Sequence, residues 1–268
     1  MTEPEGRGTG DFDLSGVQPA TQEVVHAVAR IYSHHTAPWL IGLLVHGSAC
    51  KGDFIPGCSD IDLKLNLRDE AFVGPDTRNN LPFALAAAIH RDLARVDPAP
   101  FQYIQCYAER PTPRKGQVGP VAGAYHMVLG NLPVPEATAR QLLAAARAAL
   151  ERLDPYPDYV SKDLLQHGGG RFERAIRFAC TDVWPALYQL LCLQQPDPIE
   201  VWTLPKRQAI ALLPQGSTLQ SAIAGFLASV TAYYTSTPSV ERGLRVLQDA
   251  VVFLGAARTW WDGQGDQR

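Results

Sequence analysis

The stretch "HGSACKGDFIPGCSDIDLKL" (46–65) decides the reading of this chain. An apolar run, "WLIGLLVHG" (39–47), leads into it and stops on a glycine, as a buried strand does before a turn. Out of it comes "DIDLKLNL" (60–67), which alternates strictly. Period-two alternation puts Asp60, Asp62, Lys64 and Asn66 on one strand face and Ile61, Leu63, Leu65 and Leu67 on the other. The two carboxylates are then roughly 6–7 Å apart. Like charges at that spacing repel, and their burial is costly without a positive partner. A solvated acidic edge would explain Asp60 and Asp62 taken alone. The Gly-Ser turn ahead of them favours a different reading. Gly47 lets the backbone approach a phosphate, and Ser48 brings a hydroxyl. Magnesium prefers oxygen ligands and uses one or two carboxylates together with substrate phosphates. The stretch therefore reads as a site for Mg²⁺ and a nucleoside triphosphate.

Working outward, Val24, Val25, Val28, Ile31 and Tyr32 share one helical face, so a helix is predicted from Thr21. Another is predicted over "LPFALAAAIHRDLARV" (81–96), and a third strand over "FQYIQCY" (101–107). "RPTPRKGQVGPVAG" (110–123) reads as a Pro/Gly-rich basic loop. Strand signals then fade. "PEATARQLLAAARAALERL" (135–153) is strongly helical, and further helices are predicted over 171–194, 206–213, 218–235 and 239–261. Pro185 is expected to kink the first of these later helices or to mark its start. The order points to an α+β fold: an N-terminal domain with a mixed sheet, residues 19–132, then an all-helical C-terminal domain, 133–268. "MTEPEGRGTGDFDLSG" (1–16) is acidic and Gly-rich and lacks an apolar signal core, so 1–18 reads as a disordered leader.

Bulk composition narrows the class. Hydrophobic residues make up 46% and charged residues 19%, with a net charge of −3, so nothing argues for wrapping nucleic acid. No apolar run approaches the roughly 18 residues of a membrane span. The five cysteines, Cys50, Cys58, Cys106, Cys180 and Cys192, show no CxxC spacing, which fits free thiols in a cytoplasmic protein. "QHGGGRFER" (166–174) lacks the nucleophile elbow that an esterase oxyanion loop would need, and reads as a flexible loop opening a helix.

Gly47-Ser48 followed by Asp60-Ile61-Asp62 matches the G-S…D-x-D signature of the DNA polymerase β-like nucleotidyltransferase superfamily. The chain resembles its aminoglycoside adenylyltransferases further on. "YHMVLGNLPVP" (125–135) is similar to their interdomain segment, and "DVWPALYQLLCLQQPDPIEVWTLPKRQAIALLP" (182–214) to their C-terminal helical pattern. The resemblance implies that Gly47 and Ser48 bind the triphosphate, that Asp60 and Asp62 hold Mg²⁺, and that Lys206 reaches the triphosphate. Taken alone, Lys206 is an ordinary helix-start lysine. The implied activity is transfer of AMP from ATP to a hydroxyl of a small molecule. An aminoglycoside-like acceptor is the leading guess, with antibiotic resistance as the role and Glu173 and Asp182 as acceptor-binding acids.

One element of the family pattern is missing. A third carboxylate normally sits on a later strand and serves as general base. Here Gln102 occupies the expected place, with Gln105 the second option, and an amide takes no proton at neutral pH. Asp97 and Glu109 flank that strand. The substitution leaves three readings: a base from elsewhere, such as the helical domain; Asp97 or Glu109 in its place; or a nucleotide-binding or regulatory protein of little activity. An enzyme that modifies protein or tRNA is a separate alternative.

Overall fold

The computed structural model describes residues 12–74, 79–114, 116–154 and 156–264, with backbone only at 157 and 163. The fold is α+β, and the chain forms two compact units. The first runs to residue 54 and resumes over 59–136, while the second takes residues 55–58 and everything from 137 onward.

In the first unit the order is α1 (Pro19–Thr36), β1 (Leu40–His46), α2 (Ser48–Lys51), β2 (Ile61–Leu67), α3 (Phe83–Leu93), β3 (Ile104–Glu109) and β4 (Tyr125–Gly130). The sheet order is β3-β2-β1-β4. β1 is antiparallel to both β2 and β4, whereas β2 and β3 are parallel and joined through α3, as a parallel pair requires a crossover. Proline at the first position of α1 presets its φ. Val24, Val25, Val28 and Tyr32 of α1 form one core with Leu43, Val45, Ile61, Leu63 and Leu65 of the sheet. The alternation in 61–67 thus assigns one face of β2 to the core and the other to the site.

Three details differ from the sequence reading. The segment 125–135 was expected to link domains, yet its first part is strand β4, whose Val128 is 1% exposed. β3 starts at Ile104 rather than 101, because the chain is still turning: the Phe101 N–H donates to the Pro98 carbonyl, and the Phe101 ring packs on Phe54 at 4.7 Å. The expected leader over 1–18 is held on the sheet from residue 12, where the Asp13 N–H donates to the Val128 carbonyl and Val17 is buried. Its first eleven residues lie outside the described ones.

The second unit contains α4 (Ala139–Glu151), α5 (Arg171–Gln194), α6 (Pro198–Thr203), α7 (Lys206–Ala211), α8 (Thr218–Thr235) and α9 (Val240–Asp262). Thr138, Asp197, Ser217 and Ser239 cap four of their N-termini through side-chain oxygens. Such caps contribute about 1 kcal/mol each. Ile176, Val183, Leu187 and Leu190 of α5 repeat at helical spacing and pack with Phe226 and Phe253. Pro185 lies inside α5 and does not mark its start. Among the described residues no helix is long and apolar enough to cross a membrane.

The helical core also takes in a residue from the stretch that opened the sequence. Ile55, 5% exposed, packs into the α4–α9 core, with Cys58 against it. Truncating so buried an isoleucine leaves a cavity, so Ile55→Ala is expected to cost about 2–5 kcal/mol. The measurement is chemical denaturation, with hydrogen exchange locating the loss in α5. A change below about 0.5 kcal/mol, the scale of surface substitutions, would show that Ile55 is not a core residue.

Candidate active site

β1 ends at His46, and the chain turns at Gly47 with φ +73°, a left-handed conformation that glycine adopts without strain. A side chain there would also meet the Asp62 carboxylate, since a Cβ on Gly47 would lie 2.9 Å from its Oδ2. Glycine is therefore required twice over. The turn is pinned from α1: the Gln18 N–H donates to the Ala49 carbonyl and the Gln18 amide to the Cys50 carbonyl, each at 2.9 Å. Ser48 opens α2 and is half-buried.

Sheet register builds the rest. Asp62 pairs with His46 on one side and with Gln105 on the other. Lys64 pairs with Tyr107, and Asn66 with Glu109. Partners in register share a face, so His46, Asp62, Lys64, Gln105, Tyr107 and Glu109 all lie on the face opposite the α1 core. Asp60 is half-buried, one residue ahead of β2.

This register changes the assignment on the third strand. Gln102 lies two residues ahead of β3, with its N–H donating to the Ser59 carbonyl at 2.9 Å. It was expected to share the site face with Ile104 and Cys106, but those two pair with Ile61 and Leu63 and pack in the core. Gln105 is the residue beside Asp62. Its amide donates to the Tyr107 hydroxyl at 2.6 Å. Glu109 shares the face but stands four residues further along, roughly 13 Å away, and accepts from the Asn79 amide. Asp97 is exposed and accepts the Ala99 N–H within its own turn.

The donor set suits a hard cation. Asp60, Asp62 and Ser48 supply only oxygen, and one Asp62 oxygen fills the space that glycine leaves. Among the described residues no group of three or more His, Cys, Asp or Glu is assembled to hold a metal. A two-carboxylate site that draws its remaining ligands from phosphates and water is the arrangement magnesium ordinarily takes.

His46 is a residue that the sequence reading passed over. Burial, then the positive charges of Lys64 and Lys51, push its imidazole down to about 4. It is neutral at pH 7. Its place immediately before Gly47, level with Asp62, was visible in the sequence once β1 and β2 were set antiparallel.

In the helical unit, Glu173 accepts from Tyr233 at 2.8 Å and Tyr234 at 2.5 Å, and Asp182 accepts from Tyr159 at 2.5 Å. Burial, followed by the carboxylate it binds, raises Tyr233, to about 12, and Tyr159; Tyr234 is raised by burial first, then by Cys58 and Glu173. Lys206 opens α7, its ammonium 5.5 Å from the centre of the Trp184 ring. Trp184 in turn packs edge-on against Phe226. The Cys58 and Cys180 thiols are 3.9 Å apart. Their contact and burial raise the Cys180 pKa well above the usual thiol range.

No family model matches the chain. No curated protein matches it either. Among solved structures, a spectinomycin adenyltransferase, AAD(9), from Enterococcus faecialis, solved with ATP and spectinomycin, is similar in fold. The likeness has a TM-score of 0.51 at 14% identity, and covers 89% of this chain and 99% of that one.

The His46 environment has a consequence for stability. Above about pH 6.5 the imidazole is neutral in both folded and unfolded chains. As pH falls from about 6.5 towards about 4, the unfolded chain takes up a proton that the folded site refuses. Stability therefore falls across that window, by on the order of 3 kcal/mol from this group. Denaturation midpoints are expected to drop more steeply between those pH values for the natural protein than for His46→Gln. Parallel curves would remove His46 as the source.

Proposed function

We propose that the protein transfers a nucleoside monophosphate, AMP from ATP, to a hydroxyl of a small molecule. The observation that carries the proposal is the Asp62 carboxylate lying against Gly47, where a strand-end Gly-Ser turn meets an Asp-x-Asp strand. Ser48 and the backbone beyond Gly47 bind triphosphate oxygens. Asp60 and Asp62 hold Mg²⁺, which supplies neutralisation of the charge that builds on the phosphate oxygens during transfer. The acceptor oxygen attacks the α-phosphorus in line and pyrophosphate leaves. Lys206 enters through its place at the start of α7, as a further cation for the triphosphate.

The fold likeness to an adenyltransferase solved with ATP and spectinomycin supports ATP as donor and an aminoglycoside-like acceptor. Glu173 and Asp182 carry the acceptor part of the proposal. Glu173 accepts from two tyrosine hydroxyls and Asp182 from one, which orient the carboxylates. The second reading is a nucleotide-binding protein with little transfer activity. Gln105 beside Asp62 favours it, because an amide orients a hydroxyl but does not take its proton.

Calorimetry is expected to show ATP binding that requires Mg²⁺ and is largely lost in Asp60→Asn/Asp62→Asn, with Lys206→Ala weakening it. Unchanged binding in the double variant would sink the site. Pyrophosphate release in the presence of a panel of aminoglycosides then tests the acceptor.

Gln105→Glu separates the two readings. If only the base is missing, the variant is expected to raise transfer by up to about 10²–10⁴, while Gln102→Glu leaves the rate near that of the natural protein. Fast turnover in the natural protein, insensitive to Gln105, would show that proton removal is handled elsewhere.

A further inference from the structure

The loop between the Gly-Ser turn and the acidic strand carries a thiol that no part of the proposed chemistry uses. Cys58 is half-buried in the segment given to the helical unit, and its Sγ lies 3.9 Å from that of Cys180 on α5. Cys180 is 8% exposed. The other thiols face elsewhere: Cys50 and Cys192 donate to the carbonyls of Val45 and Pro198, and Cys106 meets the Tyr32 hydroxyl. A disulfide has a sulfur–sulfur distance of about 2.05 Å, so the pair needs to close by about 2 Å. Cys58 follows Gly57, at φ +75°, and closes a turn in which its N–H donates to the Ile55 carbonyl.

We infer that Cys58 and Cys180 are a reversible disulfide site, which on oxidation fastens the 55–58 segment to α5. The oxidant is a peroxide. Cys58, the more accessible sulfur, attacks one peroxide oxygen; the O–O bond breaks, leaving a sulfenic acid and water. Cys180 sulfur then attacks Cys58 sulfur, the S–O bond breaks, and the departing hydroxide leaves as water with the Cys180 proton. Two thiols have given up two electrons and two protons, and one peroxide has become two waters. A dithiol reductant reverses the change. The bond closes a loop across 122 positions of sequence and ties down a segment that ends two residues before Asp60.

The test treats the full-length reduced protein with hydrogen peroxide, then alkylates, digests and maps the peptides by mass. One Cys58–Cys180 cross-linked peptide is expected, with the protein losing the mass of two hydrogens and regaining it in dithiothreitol. Backbone amides over 52–59 are expected to exchange more slowly in the oxidised form. Cys58→Ser and Cys180→Ser should each abolish the cross-link, while Cys50→Ser keeps it. Should either serine variant fail to fold, the map of the natural protein decides alone. Over-oxidised Cys58 with no cross-link, or a bond between other cysteines, would overturn the site. A further readout rests on the proposed function. Because a displacement of an ångström at such a site is costly, oxidation is expected to weaken ATP binding on the order of tenfold or more. A reduced protein that does not bind ATP counts against that function and leaves the peptide map to judge the disulfide. A mapped disulfide with unchanged ATP affinity overturns the link between them.

Discussion

Burial of Ile55 among the α4–α9 helices is the constraint on which the rest depends. The chain leaves the sheet at His46, makes the Gly-Ser turn, and gives residues 55–58 to the helical core before β2 begins. An isoleucine at 5% exposure is a strong anchor for a loop. Burying such a side chain stabilises by about 1.5–3 kcal/mol, several times RT and ample to hold one loop conformation against its alternatives. Ser48 and Asp60 sit at the two ends of this loop. The serine and Asp62 are brought to the same end of the sheet by the Gln18 bonds and by β1–β2 pairing, while apolar contact holds the middle of the loop. Gly57 fits the same account, since its left-handed turn brings the chain against Tyr234, 3.6 Å from where a Cβ would sit.

At the sheet end, the governing quantity is parity. A strand offers only two faces, and one is taken by the core that α1 completes. Whatever is level with Asp62 on either neighbour must therefore share its surroundings. That gives His46 and Gln105, a neutral imidazole and a neutral amide, on either side of one carboxylate. Lys64 and Lys51 supply the nearby positive charge, felt as the depression of His46. The face thus holds cations and neutral donors around Asp62, with Glu109 further along it.

The sequence made much of this legible, for reasons that can be named. Strict alternation in 60–67 located β2 and its faces, because one face is buried and a shift of one residue would bury Asp62 and Lys64 instead. The helices α5, α8 and α9 were read to within a residue, since their apolar repeats are long, α8 and α9 are capped by serine side chains, and α5 opens directly after a glycine run. β4 was missed because "YHMVLG" is short, ends on Gly130 and is followed, after two more residues, by Pro133, which together read as a linker. Gln102 was preferred to Gln105 because both lie in one apolar run. Only pairing with β2 shows where the strand starts, and that pairing spans some forty residues of chain. The 55–58 segment was illegible for a related reason: a single isoleucine in a polar loop has no periodicity, so nothing local says which core it joins.

Gln105 stands level with a carboxylate in the sheet. Its neighbour Asp62 already carries a negative charge, and a second carboxylate level with it would repel it unless a cation stood between them. An amide avoids that repulsion, and here it is held by the Tyr107 hydroxyl, itself 53% exposed. The Gln105–Tyr107 pair therefore presents hydrogen-bonding groups beside Asp62 without adding a second negative charge. The cost falls on proton removal. A hydroxyl acceptor must lose its proton as the bond to phosphorus forms, and neither an amide nor an imidazole depressed to about 4 is a strong base. Under the proposed function, such a site would bind a metal-bound triphosphate more readily than it would deprotonate an alcohol. Acceptors with a more acidic hydroxyl would then suit it best, because less of the barrier would depend on a base.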